Sequence, residues 1–278
     1  MNMFSRSWEL VKASWGVLRD DKELMIFPIV SSIAVFIVML TFAVPMVLAG
    51  ALNRGFATGI PFFAIALGFL FYVLQYMIIF YCNSALIGAA LIRLDGGQPT
   101  LRDGFRIANA RLGSIFGYAL LAATVGLILH NIAKRGIIGR IVASVVGLGW
   151  SIATFLAVPV LVVEGIGPIE AVKRSTQLLK KTWGEQIVGN VGIGFVFGLI
   201  SFLTTMLFLG GLFAAISTKS TALILSVVAV FVVAILAVAL IGSTLSAIYT
   251  AAVYRYATEG NAGAAFPPAL ISEAFRRQ

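Results

Sequence analysis

Asp, Glu, Lys and Arg are distributed unevenly along the 278 residues. Six tracts contain none of them: 24–53, 55–92, 112–133, 141–163, 186–218 and 220–254, of 30, 38, 22, 23, 33 and 35 residues. Each exceeds the roughly 18–20 apolar residues a helix needs to cross a ~30 Å hydrocarbon core. The pattern predicts six transmembrane helices. A β-barrel would alternate polar and apolar residues every second position, and no such alternation is present.

The tract 55–92 is long for a single crossing, since a helix of that length would measure roughly 57 Å at 1.5 Å per residue. Pro61 suits a first helical turn, and no Pro or Gly-Gly follows until Gly96-Gly97. One long helix is the expectation, with two short half-helices as the alternative. Orientation follows from the basic residues between spans. With the N-terminus inside, 15 of 20 Lys and Arg fall on the cytoplasmic side, a positive-inside bias that places both termini in the cytoplasm. The segment 130–140, which carries Lys134, Arg135 and Arg140, then becomes an outer loop. Residues 1–23 mix Glu9, Asp20, Asp21 and Glu23 with basic residues, so the first tract reads as a retained anchor rather than a cleaved signal.

Short segments between the spans carry helical periodicity. Phe4, Trp8, Val11, Trp15 and Leu18 share one face, with Lys12 and Arg19 opposite or beside it. After Gly167-Pro168, Ile169, Val172, Thr176, Leu179 and Trp183 line one stripe while Lys173, Gln177, Lys180 and Lys181 cluster on another. A third candidate is Leu101–Leu112. The first two align without gaps at an offset of 161: Glu9, Val11, Lys12, Ser14 and Leu18 fall on Glu170, Val172, Lys173, Ser175 and Leu179. One reading is a threefold repeat of cytoplasmic amphipathic helix plus helical hairpin. The plainer one is that any even-spanning protein has surface helices at its cytoplasmic turns.

Composition sharpens the picture by exclusion. The chain is 60% hydrophobic and 11% charged, with mean hydropathy +1.02, against roughly 45–50% and 25% in a soluble domain. Soluble and disordered chains are both excluded. The net charge of +9 matches anionic headgroups, each juxtamembrane cation contributing ~1 kcal/mol. Lys12, Arg19, Lys173, Arg174, Lys180 and Lys181 are the candidate lipid contacts. No basic stretch has the length or aromatic interleaving of a nucleic-acid footprint. One Cys and one His argue against a disulfide framework or a multi-histidine metal centre.

The run from Thr154 through Ser175, Thr-Phe-Leu-Ala-Val-Pro-Val-Leu-Val-Val-Glu-Gly-Ile-Gly-Pro-Ile-Glu-Ala-Val-Lys-Arg-Ser, and then Lys181-Thr182-Trp183-Gly184-Glu185-Gln186 resemble the prokaryotic integral membrane domain-of-unknown-function 6159 family. Ser7 to Lys12 and Lys22 to Pro28 resemble it too. The resemblance implies a multi-pass protein of the prokaryotic inner membrane and brings no activity or site residues. More distantly, the order Pro, Glu, Ala-x-x-x-Ser is similar to membrane domains attached to some glycerophosphodiester phosphodiesterases.

Ionisable groups inside spans are functional candidates by default. Here the tracts hold none except His130, near an outer end. It reads either as an ordinary interfacial residue or, beside Lys134-Arg135, as an anion or pH-sensing group. Glu164, at the inner end of span four, is the foremost carboxylate; its plain reading is an ion pair with a cytoplasmic-helix Arg or Lys. Gln75 and Asn83 lie about 80° apart around one helix, either lining a common lumen or bonding partner helices; Asn190 in span five is a further polar candidate. Gly113-x-x-x-Gly117 and Gly194-x-x-x-Gly198 are packing signals, within or between protomers, so a homo-oligomer stays open. No Walker loop, HExxH, paired-Cys spacing or G-x-S-x-G elbow is present.

The sequence therefore predicts a single all-α polytopic domain spanning 1–278, with an amphipathic helix in 1–23 and a cytoplasmic tail at 255–278. The functional expectation is a transport-like protein, a pore or carrier for a small solute or lipid, without enzyme activity, cofactor or metal. The alternative is a non-catalytic membrane-organising or partner-binding protein.

Overall fold

The computed structural model describes residues 3–52, 61–183, 193–263 and 266. Among them the regular elements are all helical. They are α1 (Met3–Asp20), α2 (Ile26–Leu52), α3 (Pro61–Leu94), α4 (Leu101–Ala110), α5 (Leu112–Ala133), α6 (Gly136–Ala153), α7 (Ala157–Glu164), α8 (Pro168–Trp183), α9 (Ile193–Ser217) and α10 (Thr221–Glu259). A short 3-10 turn, Lys22–Met25, joins α1 to α2. Among the described residues, six helical segments are long and apolar enough to cross a membrane: Lys22–Pro45, Ala66–Leu94, Leu112–Ala133, Gly136–Glu164, Val196–Ser217 and Thr221–Glu259.

Two boundaries differ from the sequence expectation. The segment 130–140 is not an extended loop. α5 runs to Ala133 and α6 begins at Gly136, leaving Lys134-Arg135 as the turn. Glycines make the tight reversal: Gly136 has φ +88, and a Cβ on Gly139 would collide with the Ile132 carbonyl oxygen. The second difference lies in span four, where the helix breaks at residues 154–156. Pro159 in the first turn of α7 has no N–H, and its ring would strike the Phe155 carbonyl in a continuous helix. The long tract, by contrast, forms α3 without interruption from Pro61 to Leu94.

Three helices form the centre: α3, α7 and α10 pack against one another. Their contact is made by small and branched residues, including Ala85, Ala89 and Ala90 of α3, Ala157 and Leu161 of α7, and Leu245, Ile248, Ala251 and Ala252 of α10, all buried. A surface helix packs on each: α4 on α3, α8 on α7 and α1 on α10, so the chain's first helix covers its last. We call this the capped end. Approach is closest at α4, where a Cβ on Gly104 would lie 2.5 Å from Phe27 Cζ and 2.7 Å from the Ala85 carbonyl oxygen. The α4 start is secured by a capping box, with Asp103 N–H donating to the Thr100 hydroxyl and Thr100 N–H donating to the Asp103 carboxylate. That carboxylate is held below the ordinary Asp range chiefly by the Thr100 hydroxyl and then by the Thr100 N–H.

The faces of α1 and α8 sit differently from the stripes read in the sequence. Leu10, Val11, Ser14, Val17 and Leu18 are buried on α1, and Ala171, Ser175, Leu178 and Leu179 on α8. Four of these coincide at the offset of 161. Trp8 and Trp15 point outward, 44% and 48% exposed. A helix seated between a bundle and its surroundings has two apolar edges, and periodicity alone merges them.

Candidate functional site

At the capped end, charged side chains tie the inner helices to their neighbours. Glu164 closes α7, and Gly165 ends the helix in the left-handed region at φ +66. Arg174 Nε of α8 donates to both Glu164 oxygens at 3.0 and 3.1 Å, and the Tyr254 hydroxyl donates to Oε1 at 3.3 Å. Arg111 Nε donates to the Val162 carbonyl at 3.2 Å, so two guanidinium groups meet the negative end of the α7 dipole. At the end of α3, Arg93 pairs with Asp20 and Asp21 at 3.0 and 3.1 Å. At the end of α10, Arg255 pairs with Asp95 and Glu259 at 2.9 and 3.0 Å and donates to the Leu94 carbonyl. Apart from Arg255–Glu259 within α10, these pairs join different segments of the chain, without forming a catalytic constellation. Among the described residues, no three His, Cys, Asp or Glu side chains gather as a metal site.

The helix break opens a different site. Leu156 N–H, left without a carbonyl partner by the break, donates to the buried Ser175 hydroxyl at 3.0 Å. Its neighbours Thr154 and Phe155 line a cavity of about 480 Å³ between α3, α5, α6, α7 and α10. Ile87 and Val158 close its floor toward the capped end, and Val125, Gly126, Leu129 and Gly147 form its apolar side toward the α5–α6 turn. Between them lie Asn83, Tyr118, Thr154 and Thr250, with Tyr76 and Trp150 on the walls. Asn83 stands about 16 Å from the α3 terminus by helical rise, near the middle of a ~30 Å core.

The polar groups are unevenly satisfied. Thr154 donates to the Trp150 carbonyl at 2.8 Å, Ser151 to Gly147 at 2.9 Å and Thr250 to Ser246 at 2.8 Å. Each hydroxyl hydrogen is thus committed to its own helix, with oxygen lone pairs left toward the cavity. The Asn83 amide, the Trp150 indole N–H and the Tyr76 hydroxyl make no hydrogen bond to another described residue. The walls are aromatic: Tyr76 stacks on Phe80 at 5.6 Å, and Phe80 meets Tyr118 at 4.6 Å.

The residues singled out in the sequence scatter. Asn83 lines the cavity, whereas Gln75 donates to the Val35 carbonyl of α2 at 3.4 Å; the two do not share a lumen. Glu164 and Arg174 pair with each other. His130 is exposed in the last turn of α5. Lys12 pairs with Glu9 at 2.8 Å, while Arg19, Lys173 and Lys180 are exposed. Asn190 and the Lys181 side chain lie outside the described residues. Of the Gly-x-x-x-Gly glycines, Gly117 meets Pro168 of α8, where a Cβ would approach to 3.1 Å, and Gly113 and Gly198 meet nothing. Sequence reading passed over Tyr76, Tyr118, Trp150 and Thr154 as site residues, because aromatic and hydroxyl side chains are common in spans and only the break brings these together. Pro159 following Thr154 was the available signal.

No curated protein matches the chain. A family model matches residues 61–265, from the start of α3 to beyond α10. The chain belongs to the family of unknown function DUF6159.

Proposed function

We propose a transport-like function: a pore or carrier for a small solute or lipid, in the prokaryotic inner membrane with both termini cytoplasmic and no chemistry performed on the cargo. The observation that carries this reading is the cavity wrapped around the break in span four. Transporter sites characteristically lie near the bilayer midplane against discontinuous helices, where irregular backbone lines a cavity. Three inner helices, each with its own surface helix, and the coincidence of buried positions on α1 and α8 support a repeated architecture. The test is flux into sealed liposomes. Entry of at least one uncharged solute or lipid above the rate of empty vesicles supports transport; permeability equal to empty vesicles across ions, small solutes and lipids removes it. The distant likeness to phosphodiesterase-attached membrane domains contributes no residue to this reading.

A second reading, membrane organisation through anionic lipid, is favoured by the exposed Lys12, Arg19, Lys173 and Lys180 beside the outward Trp8 and Trp15. Substituting the four cations by Gln weakens binding of anionic-lipid headgroups on this reading; unchanged binding counts against it. Arg174 is left intact because it holds Glu164.

A further inference from the structure

We infer that the cavity at the helix break binds an uncharged amphiphile whose polar head carries a hydrogen-bond-accepting oxygen. This rests on the cavity being the functional site, as proposed above. Three features define the ligand.

First, among the described residues no Asp, Glu, Lys, Arg or His lines the cavity. An ion placed there would lose its hydration without a counter-charge, at a cost of several kcal/mol, so charged heads are excluded by the lining itself. Second, three lining residues carry donors with no hydrogen bond to another described residue: the Asn83 amide, the Trp150 indole N–H and the Tyr76 hydroxyl. A donor withdrawn from water and left unpaired costs roughly 1–3 kcal/mol in proteins. A ligand oxygen beside Asn83 answers its amide, in the polar middle of the cavity with Tyr118, Thr154 and Thr250. The hydroxyls of Thr154, Ser151 and Thr250 have spent their hydrogens on backbone carbonyls, so they offer acceptors, which an alcohol O–H can meet and a carbonyl cannot. Third, the apolar side at Val125, Gly126, Leu129 and Gly147 and the aromatic walls suit a hydrocarbon body extending toward the α5–α6 turn. The volume of about 480 Å³ lies within the roughly 300–1,000 Å³ typical of small-ligand sites.

Trp150 makes occupancy measurable. The chain has four Trp, and replacing Trp8, Trp15 and Trp183 by Phe leaves Trp150 as the reporter. In neutral phosphatidylcholine vesicles, its fluorescence is titrated with chain-end-brominated dodecanol, dodecyl phosphate and dodecyltrimethylammonium. The same titrations on Gly126→Phe, whose ring occupies the cavity, give the quenching due to partition into lipid alone. The alcohol is expected to quench saturably above that background, and the two ionic analogues are not. Asn83→Leu raises the alcohol's midpoint about tenfold, the loss of one hydrogen bond in an apolar site, and Asn83→Ser, which keeps a hydroxyl, falls between. Alcohol quenching no greater than in Gly126→Phe, or equal midpoints for neutral and ionic heads, overturns the assignment. The outcome separates from that of the flux test: carried ions without alcohol binding retain transport and reject this ligand class, while alcohol binding without flux does the reverse.

Discussion

The two ends of this bundle are built on different principles. At the capped end, alanines and branched residues of α3, α7 and α10 are buried, surface helices cover them, and Arg–carboxylate pairs join their termini. At the opposite end the helices show their apolar side chains outward: Ile137 and Ile138 are 74% and 78% exposed, Leu207 and Phe213 both 79%. In water that contrast would mark half a protein as unfinished. In a bilayer, lipid solvates Leu as well as protein does, so apolar burial drives no association; close packing of small residues and polar contacts do. The capped end holds the fold together, the open end meets lipid, and the cavity lies between them.

Substitutions at each end separate these roles. The largest expected effect is Gly104→Val, which drives a side chain into Phe27 and the Ala85 carbonyl; a backbone cannot yield as a side-chain tip can, and a loss of about 3 kcal/mol is expected, read as a fall in melting temperature in detergent. Ser175→Ala comes next. It removes the acceptor of the buried Leu156 N–H, with an expected loss of about 1–2 kcal/mol and faster amide exchange at Leu156. A smaller, local effect follows acidification. The Asp103 carboxylate is held below its unfolded value of about 3.9, so its support of α4 is complete above that value and is lost as pH falls through the lower folded one. Amide exchange at the first turn of α4 should rise on acidification in the native chain, and Asp103→Asn should abolish that dependence. The smallest effect is expected at the open end, where Leu207→Ala should change stability by less than about 0.5 kcal/mol. A loss there comparable to that of Gly104→Val would dissolve the contrast between the ends.

The absence of charge from six tracts was enough to read the number and type of the spanning elements, because hydrocarbon penalises every ionisable side chain alike. The Glu164–Arg174 pair was legible in kind, since a carboxylate ending a span beside a basic helix has few other partners. The cavity was not. Asn83 was visible as a polar residue in a span, but Gln75 looked the same and turned out to bond α2. Which polar group faces a partner helix and which faces a cavity depends on how α3 is rotated against α5 and α10, information that is long-range and does not reside in one helix's periodicity. The turn at Lys134-Arg135 is hidden for a related reason: charges ordinarily mark a loop, while Gly136 and Gly139 permit a hairpin tight enough to keep Arg140 within α6.

The central claim is that function resides in the cavity and stability at the capped end. The most direct test compares flux and melting temperature for the native chain and Gly126→Phe in the same liposomes. A Cβ at Gly126 meets the Tyr76 hydroxyl at 3.1 Å and its ring at 3.7 and 3.8 Å, so the added ring takes cavity space beside Tyr76, away from the buried contact of α3, α7 and α10. The expected result is a melting temperature lowered far less than by Gly104→Val, with flux reduced to that of empty vesicles. Flux at the native rate through a protein whose cavity is filled would contradict it.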